Sequence, residues 1–341
     1  MTVAILLFGY AGLLGLLGPM ALRSGTWATR SPRLAIACWQ ILSASVLASV
    51  ILAGITIAAP TAPFSTNLAA VLQACLMAIK NGYATSAGVG VTLAGLVLAL
   101  AVVTRSLSCL VAGLIHSARD RARLARTLNL ITRSSEHSGT VILEHAIPAA
   151  YFLPVRHRRV VLTSAALSAL DSEQLQAVLS HERAHLSGRH HLVLETAAAL
   201  NRAFPRVPLF ARASGEITRL VELVADDVAA RRYGRLPVAT AMVTMSGGEA
   251  PSMALAAGGA GALERVRRLL EPARPLRPAT LLSVFALAIA VFVLPAIAAV
   301  TPALGAAHLP ECPMTTTATS SAHGNTCHSP HAHGVTNTAT T

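Results

Sequence analysis

Four long apolar segments without a charged residue constrain the fold more than any other feature of the chain. They cover residues 3–22, 34–59, 87–103 and 279–304. Each is close to the roughly 20 residues that a helix needs to cross a hydrocarbon core of about 30 Å. Since lipid cannot satisfy exposed backbone polar groups, each segment is predicted to form a membrane-spanning helix.

The arginines predict how these helices are oriented. The loop after the first helix holds Arg23, Arg30 and Arg33 and no acid, and residues 105–277 hold 23 arginines against 14 acids. By the positive-inside rule both regions are cytoplasmic. The first helix lacks the positive start of a cleaved signal peptide, so we expect it to be retained. The chain is thus predicted to be a multi-pass protein of the cell membrane with both termini outside.

The cytoplasmic segment mixes strand and helix signals. Strand-like runs at 140–146 and 159–163 precede a helix for which Asp171 is a plausible N-cap, with Gln174 as its capping-box partner. Apolar residues then recur at helical spacing, and the helix is predicted to continue to Ser187. Further expectations are a short helical turn at 164–170, helices near 192–202, 214–232 and 262–272, and a connector at 246–261.

The predicted fold class is therefore an α-helical membrane protein with four transmembrane helices and an inserted α+β domain. The expected parts are residues 1–115 with three spanning helices, 116–277 as the cytoplasmic domain, 278–304 as the fourth helix and 305–341 as a disordered external tail.

The stretch LSHERAHLSGRHH, residues 179–191, contains the pattern His-Glu-x-x-His. On a helix, His181 and His185 lie on one face and can bind the same zinc ion. Glu182 lies beside that face, where it can act as a general base on the attacking water. The motif predicts a zinc enzyme that uses one Zn²⁺ ion.

The residues leave two alternatives for the third ligand. His191 completes the longer pattern HExxHxxGxxH, in which Gly188 breaks the helix and lets the third histidine return. In the other interpretation Glu222, within RLVELVADD at 219–227, supplies a carboxylate, and Asp226 one turn later orients a ligand histidine. The apolar neighbours of Glu222 make an unpaired acid costly there.

Residues 160–191 and the motif Arg219-x-x-Glu222-x-x-Ala225-Asp226 resemble the membrane-embedded gluzincin metallopeptidases. The similarity is greatest to the BlaR/MecR antibiotic-sensor type, with the HtpX heat-shock protease and CAAX prenyl protease groups more distant. Three helices, a zinc domain and a fourth helix follow one another in the same order as in the BlaR/MecR type.

This resemblance implies a gluzincin-like zinc endopeptidase domain. It favours Glu222 over His191, because residues 190 and 191 would continue the zinc helix. An extended substrate is expected to pair with an edge strand around 160–163. The implied roles are zinc ligation by His181, His185 and Glu222, proton transfer by Glu182, orientation of a ligand by Asp226, and an oxyanion or purely structural role for Arg219 and Tyr233.

The C-terminal region departs from the resemblance. BlaR/MecR sensors carry an external penicillin-binding domain with a nucleophilic serine and a lysine, whereas the only lysine here is Lys80. Direct acylation by a β-lactam is therefore not expected, and a separate sensor protein is one partner that the resemblance allows. The tail could bind copper or zinc or form a disulfide between its cysteines. Its candidate ligands are His308, Cys312, His323, Cys327, His328, His331 and His333.

Three functions are consistent with these features. The first is a zinc endopeptidase at the cytoplasmic face that cleaves a cytosolic transcription repressor, and the second is a quality-control protease for membrane proteins. The third is a non-enzymatic metal-sensing membrane protein, against which the presence of Glu182 argues. Direct nucleic-acid binding is not expected, because the arginines are dispersed and aromatic residues make up only 4% of the chain.

Overall fold

The computed structural model describes residues 1–23, 27–58, 86–131, 140–153, 159–246, 259–272 and 275–307. The histidines and cysteines of the predicted tail lie outside these ranges, as do Lys80 and most of the predicted connector. In chain order the elements are α1 (Thr2–Arg23), α2 (Trp27–Arg30), α3 (Pro32–Ala58), α4 (Ser86–Ile131), β1 (Thr140–Leu143), β2 (Ala150–Leu153), β3 (Arg159–Thr163), α5 (Ser164–Ala169), α6 (Ser172–Ser187), α7 (His190–Ala203), α8 (Pro208–Tyr233), α9 (Arg235–Met245), α10 (Gly259–Leu270) and α11 (Pro278–Ala307).

The described chain is mostly helical, and four of its helices are long and apolar enough to cross a membrane. They are α1, α3, α4 and α11, at the positions of the four predicted spans. α4 is much longer than the predicted span at 87–103. The apolar segment and the arginine-rich segment after it form one continuous helix of 46 residues.

Hydrogen bonds and close backbone contacts hold the long helices together. The hydroxyl groups of Tyr10 and Ser45 both donate to the carbonyl oxygen of Val291, at 2.6 and 2.8 Å, and so bring α1, α3 and α11 to one level. α3 crosses α4 at Gly54 and Gly95, where a Cβ on either residue would lie 2.6–2.7 Å from the other's carbonyl oxygen. Small residues permit this close approach.

The three strands form a sheet in the order β1-β3-β2. β3 pairs in parallel with β1 and antiparallel with β2, so both of its edges are occupied. The prediction that residues 160–163 form the edge that receives a substrate is therefore wrong. β2 lies at an edge of the described sheet instead, and with four residues it is too short to show a clear alternating pattern.

α6 begins as predicted and ends earlier than the resemblance implied. The side chain of Asp171 accepts a hydrogen bond from the backbone N–H of Gln174 at 2.8 Å, and the reciprocal bond completes the capping box. The helix stops before Gly188, and Arg189 takes a left-handed conformation with φ of 48°. His190 then starts a new helix, so the expectation that residues 190 and 191 continue the zinc helix is wrong.

α8 joins the domain to the long helices. Pro208 opens it at the first turn, where the missing N–H costs no helical hydrogen bond. Leu220 and Leu223 are fully buried, in one apolar core with Trp39 and Leu42 of α3. The helix that carries Glu222 therefore packs directly against the membrane-length helices.

α9 and α10 cover the other side of α6 and α8. Ala177, Ala229, Val238 and Leu269, one from each of these four helices, form a second buried cluster. This packing brings α10, the last helix before α11, next to the predicted metal ligands.

Candidate metal centre

α6 and α8 bring the three favoured zinc ligands together. Nε2 of His181 lies 3.2 Å from Nε2 of His185. Carboxylate oxygens of Glu222 lie 3.6 Å from the first nitrogen and 3.5 Å from the second. Within the described ranges, these residues form the one group of three histidine, cysteine or acidic side chains that is compact enough to share a metal ion.

The spacing of these donor atoms fits a tetrahedral zinc ion. Zinc binds histidine nitrogen at about 2.0–2.1 Å and carboxylate oxygen at about 2.0–2.2 Å, and tetrahedral angles then separate neighbouring donors by roughly 3.4 Å. The two imidazole nitrogens, 3.2 Å apart, are close to that spacing. Glu222 faces both of them, with Oε2 3.6 Å from Nε2 of His181 and Oε1 3.5 Å from Nε2 of His185. Two histidines and a glutamate are also a donor set of catalytic zinc sites, which keep a fourth position open.

Asp226 orients the first histidine. One of its carboxylate oxygens lies 3.0 Å from Nδ1 of His181, and the residue is fully buried. Once His181 is neutral, with its Nδ1 proton held by this carboxylate, Nε2 is the nitrogen left to bind a metal. This contact is compatible with the orienting role that the resemblance implies for Asp226, which stays a prediction.

Arg265, on α10, completes the charge arrangement. Its Nε and Nη2 donate to the two oxygens of Asp226, each at 2.7 Å, and its Nη1 lies 2.9 Å from Glu222. A planar guanidinium can make such paired bonds, whereas an ammonium cannot. Arg265 was not among the site residues predicted from the sequence. Its spacing of four residues from Leu269 indicates only that the two share a face of α10, and does not identify Asp226 as the partner.

His190 was also not predicted to reach the site. Its Nδ1 lies 3.1 Å from Nδ1 of His185, and the two rings meet edge to face at 4.9 Å. A Cβ at Gly188 would collide with the ring of His190, so glycine at this position lets the ring fold back against the end of α6. The left-handed Arg189 produces the turn.

The electrostatics keep both carboxylates charged. Burial alone would raise the pKa of Asp226, but hydrogen bonds from Arg265 and His181 lower it to about 2. The pKa of Glu222 is likewise lowered, since contacts with His181 and Arg265 outweigh its burial. The charged carboxylate of Glu222, which faces both imidazoles, is suited to a divalent cation.

The two ligand histidines differ in their proton affinity. Burial lowers the pKa of His181, but its bonds to Asp226 and Glu222 prevail and raise the value to about 9. The pKa of His185 is lowered, chiefly by burial. Burial and the nearby His185 also lower the pKa of His190, to about 4. Because an imidazolium cannot bind zinc, a metal ion at this position would have to displace a proton from His181.

A cavity of about 310 Å³ opens beside the ligands. Glu182 lines it together with His181, and Ala150 of the edge strand β2 forms another part of its wall. Glu182 therefore borders space that a substrate could enter. Apolar side chains supply most of the remaining lining, among them Val178, Val238, Met242, Met245 and Ala262.

Three sequence-predicted candidates lie elsewhere. His191 is not among the clustered ligands, and the charges that act on its pKa are those of Arg121, Arg189 and Glu195. Arg219 forms ion pairs with Glu216 and Glu264, at 3.0 and 2.7 Å. Tyr233 packs against the buried cluster of α9 and α10, under the guanidinium of Arg232. Neither Arg219 nor Tyr233 lines the cavity beside Glu182.

Comparison with protein families finds a match within the chain. Residues 115–205 match the model of Peptidase family M48. The matched part includes β1, β2 and β3 and the helix with His181, Glu182 and His185, and it ends before Glu222. No curated protein and no solved structure shows significant similarity to the chain. The family match supports a membrane-type zinc metallopeptidase.

Proposed function

We propose that the chain is a membrane-embedded zinc endopeptidase whose single zinc ion is held by His181, His185 and Glu222. The observation that carries this proposal is the convergence of His181, His185 and Glu222, whose donor atoms lie within 4.8 Å of one another, beside a cavity lined by Glu182. The match to a peptidase family supports the same chemistry.

The reaction is hydrolysis of a peptide bond, which consumes one water and leaves a new carboxylate and a new amine. Bound zinc would polarise the scissile carbonyl and stabilise the charge that develops on its oxygen. Glu182 takes a proton from the attacking water and then passes it to the departing amine. Asp226 keeps His181 in its binding orientation, and Arg265 keeps Asp226 in place.

The substrate is proposed to bind as an extended segment along β2. Backbone hydrogen bonds to an edge strand would hold the peptide without reading its sequence. Ala150 belongs to both β2 and the cavity wall, so a peptide on this edge would pass the cavity next to Glu182. The apolar lining favours a substrate with an apolar side chain next to the cleaved bond.

The arginine distribution supports a cytoplasmic position for the site. Together with the BlaR/MecR resemblance, it makes a cytosolic repressor the proposed substrate, with the signal supplied by a separate sensor protein. A quality-control role on membrane proteins is the second candidate, favoured by the direct packing of α8 on the membrane-length helices.

Both roles can be tested by comparing new protein N-termini in cells that make the wild type or Glu182→Gln. The variant retains the zinc ligands and loses the base. Fragments of one repressor that appear only with the wild type would support signalling, and fragments of many membrane proteins would support quality control. Identical N-termini under antibiotic, metal and heat stress would contradict the endopeptidase.

A further inference from the structure

A second cavity, which shares no lining residue with the one beside Glu182, is rich in arginine. It measures about 770 Å³ and lies among α2, α8, α9 and the end of α10. Its charged lining residues are Arg30, Arg231, Arg235, Arg268, Asp227 and Glu271. The guanidinium groups outnumber the carboxylates four to two.

Internal contacts fix part of this lining. Arg268 binds both carboxylate oxygens of Asp227, at 2.8 and 3.0 Å, and donates a further bond to the carbonyl oxygen of Thr29. Arg235 donates to the carbonyl oxygens of Arg268 and Leu269 at the end of α10. The wall is therefore preorganised, and Asp227 is already neutralised by its own partner.

The remaining charges give the cavity a net positive character. Arg30 and Arg231 are exposed at its rim, and with Arg235 they face a single further carboxylate, that of Glu271. Guanidinium groups bind phosphate oxygens through paired, charge-assisted hydrogen bonds. The lining is thus suited to a phosphate-bearing ligand.

The position of the cavity indicates where that ligand comes from. Tyr10, Ser45 and Val291 meet at one level of the bundle. Each stands 13 residues from one end of its helix, namely the C-terminal end of α1 and the N-terminal ends of α3 and α11. At 1.5 Å per residue, all three ends lie about 20 Å from that level. Arg30 and Pro275, which line the cavity, lie in the segments next to these ends.

We propose that this cavity binds the headgroup of an anionic phospholipid. Basic pockets at the ends of membrane helices are positioned to receive lipid phosphates from the adjoining leaflet. The same helix, α10, contacts both sites, since Arg268 lines this cavity and Arg265, one turn earlier, binds the carboxylates of the metal centre. A bound headgroup therefore stabilises the helix that holds Asp226 in place.

The test uses the full-length protein in detergent, titrated with phosphatidylglycerol or with phosphatidylcholine, and native mass spectrometry to count bound lipids. We expect tighter binding of phosphatidylglycerol, weakened about fivefold by Arg231→Gln and again by Arg30→Gln. Arg232→Gln removes the same charge from the neighbouring exposed position, outside the cavity lining. It should bind phosphatidylglycerol like the wild type.

Three results would overturn the proposal. They are equal binding of the two lipids, equal losses in the Arg231→Gln and Arg232→Gln proteins, and displacement of phosphatidylglycerol by glycerol phosphate at the same concentration. The last would assign the cavity to a soluble phosphate ligand. Because lipid binding is measured directly, none of these results depends on peptidase activity.

Discussion

Arg265 donates two hydrogen bonds of 2.7 Å to Asp226, the buried carboxylate that accepts from His181. Its third nitrogen lies 2.9 Å from Glu222. One guanidinium therefore holds both the proposed third ligand and the group that orients the first. The proposed metal centre is thus in contact with α10, a helix that lies outside the part matched by the peptidase family.

Replacement of Arg265 by methionine should impair the site and the fold together. It leaves Asp226 buried without its cation, a loss of about 3–5 kcal/mol for a broken buried pair. Residual folded protein should bind zinc roughly 10–100-fold more weakly, as expected when a group that supports a ligand is removed. Thermal unfolding and zinc titration would measure both effects.

Arg267→Met is the matched control, because Arg267 is exposed on the same helix. Arg265→Lys keeps the charge and loses the paired geometry, so it should restore stability more than zinc affinity. Wild-type zinc affinity in Arg265→Met would contradict the positioning role.

Zinc affinity should depend on pH through His181. Its pKa, raised to about 9, means that zinc displaces a proton below that value. The apparent affinity should rise about tenfold per pH unit between neutral pH and about 9, then level off. Asp226→Asn removes the main hydrogen bond that raises this pKa, so the plateau should begin at lower pH. Calorimetry in buffers of different ionisation enthalpy would count the released proton, and a pH-independent affinity would contradict this account.

The choice of third ligand can be tested with two single variants. Glu222→Ala should lower the zinc content of the purified protein well below one ion per chain, because two histidines alone form an incomplete site. His191→Ala should retain one ion, since His191 lies outside the ligand cluster. Inductively coupled plasma mass spectrometry gives the stoichiometry. The reverse pattern would favour the longer histidine motif.

Gly188→Ala should disturb the site through a steric contact. The added methyl group would collide with the ring of His190 and push it away from His185. We expect lower zinc affinity and lower stability, by about 1–3 kcal/mol for a forced shift in a packed position. Gly215→Ala is the control, because a Cβ there meets no atom within 4 Å. Alanine in the helix interior should raise stability slightly, so equal losses in both variants would rule out the collision.

Local patterns predicted the elements that depend on neighbouring residues. The capping box of Asp171 and Gln174 fixes the start of α6 within four residues, and four uncharged segments identify the long helices. Contacts between residues that are far apart in the sequence were harder to predict. β3 was mistaken for an edge because β2 is short, and nothing near Arg265 reveals a partner 39 residues away.

The turn after α6 could be predicted only in part from the sequence. Glycine at position 188 correctly suggested a break, but which histidine the turn would bring back depends on the left-handed Arg189. It brings back His190, and not His191. The roles of Glu182 and of the three ligands remain predictions that the geometry supports.

The central claim is that Glu182 and the three-ligand site hydrolyse peptide bonds. The most direct measurement compares purified full-length wild type and Glu182→Gln, both loaded with zinc in lipid nanodiscs, on an unfolded protein substrate analysed by mass spectrometry. We predict one zinc per chain in both proteins and cleavage by the wild type alone, abolished by chelation and restored by zinc. Equal cleavage by the two proteins would contradict the account, as would a wild type that binds no zinc.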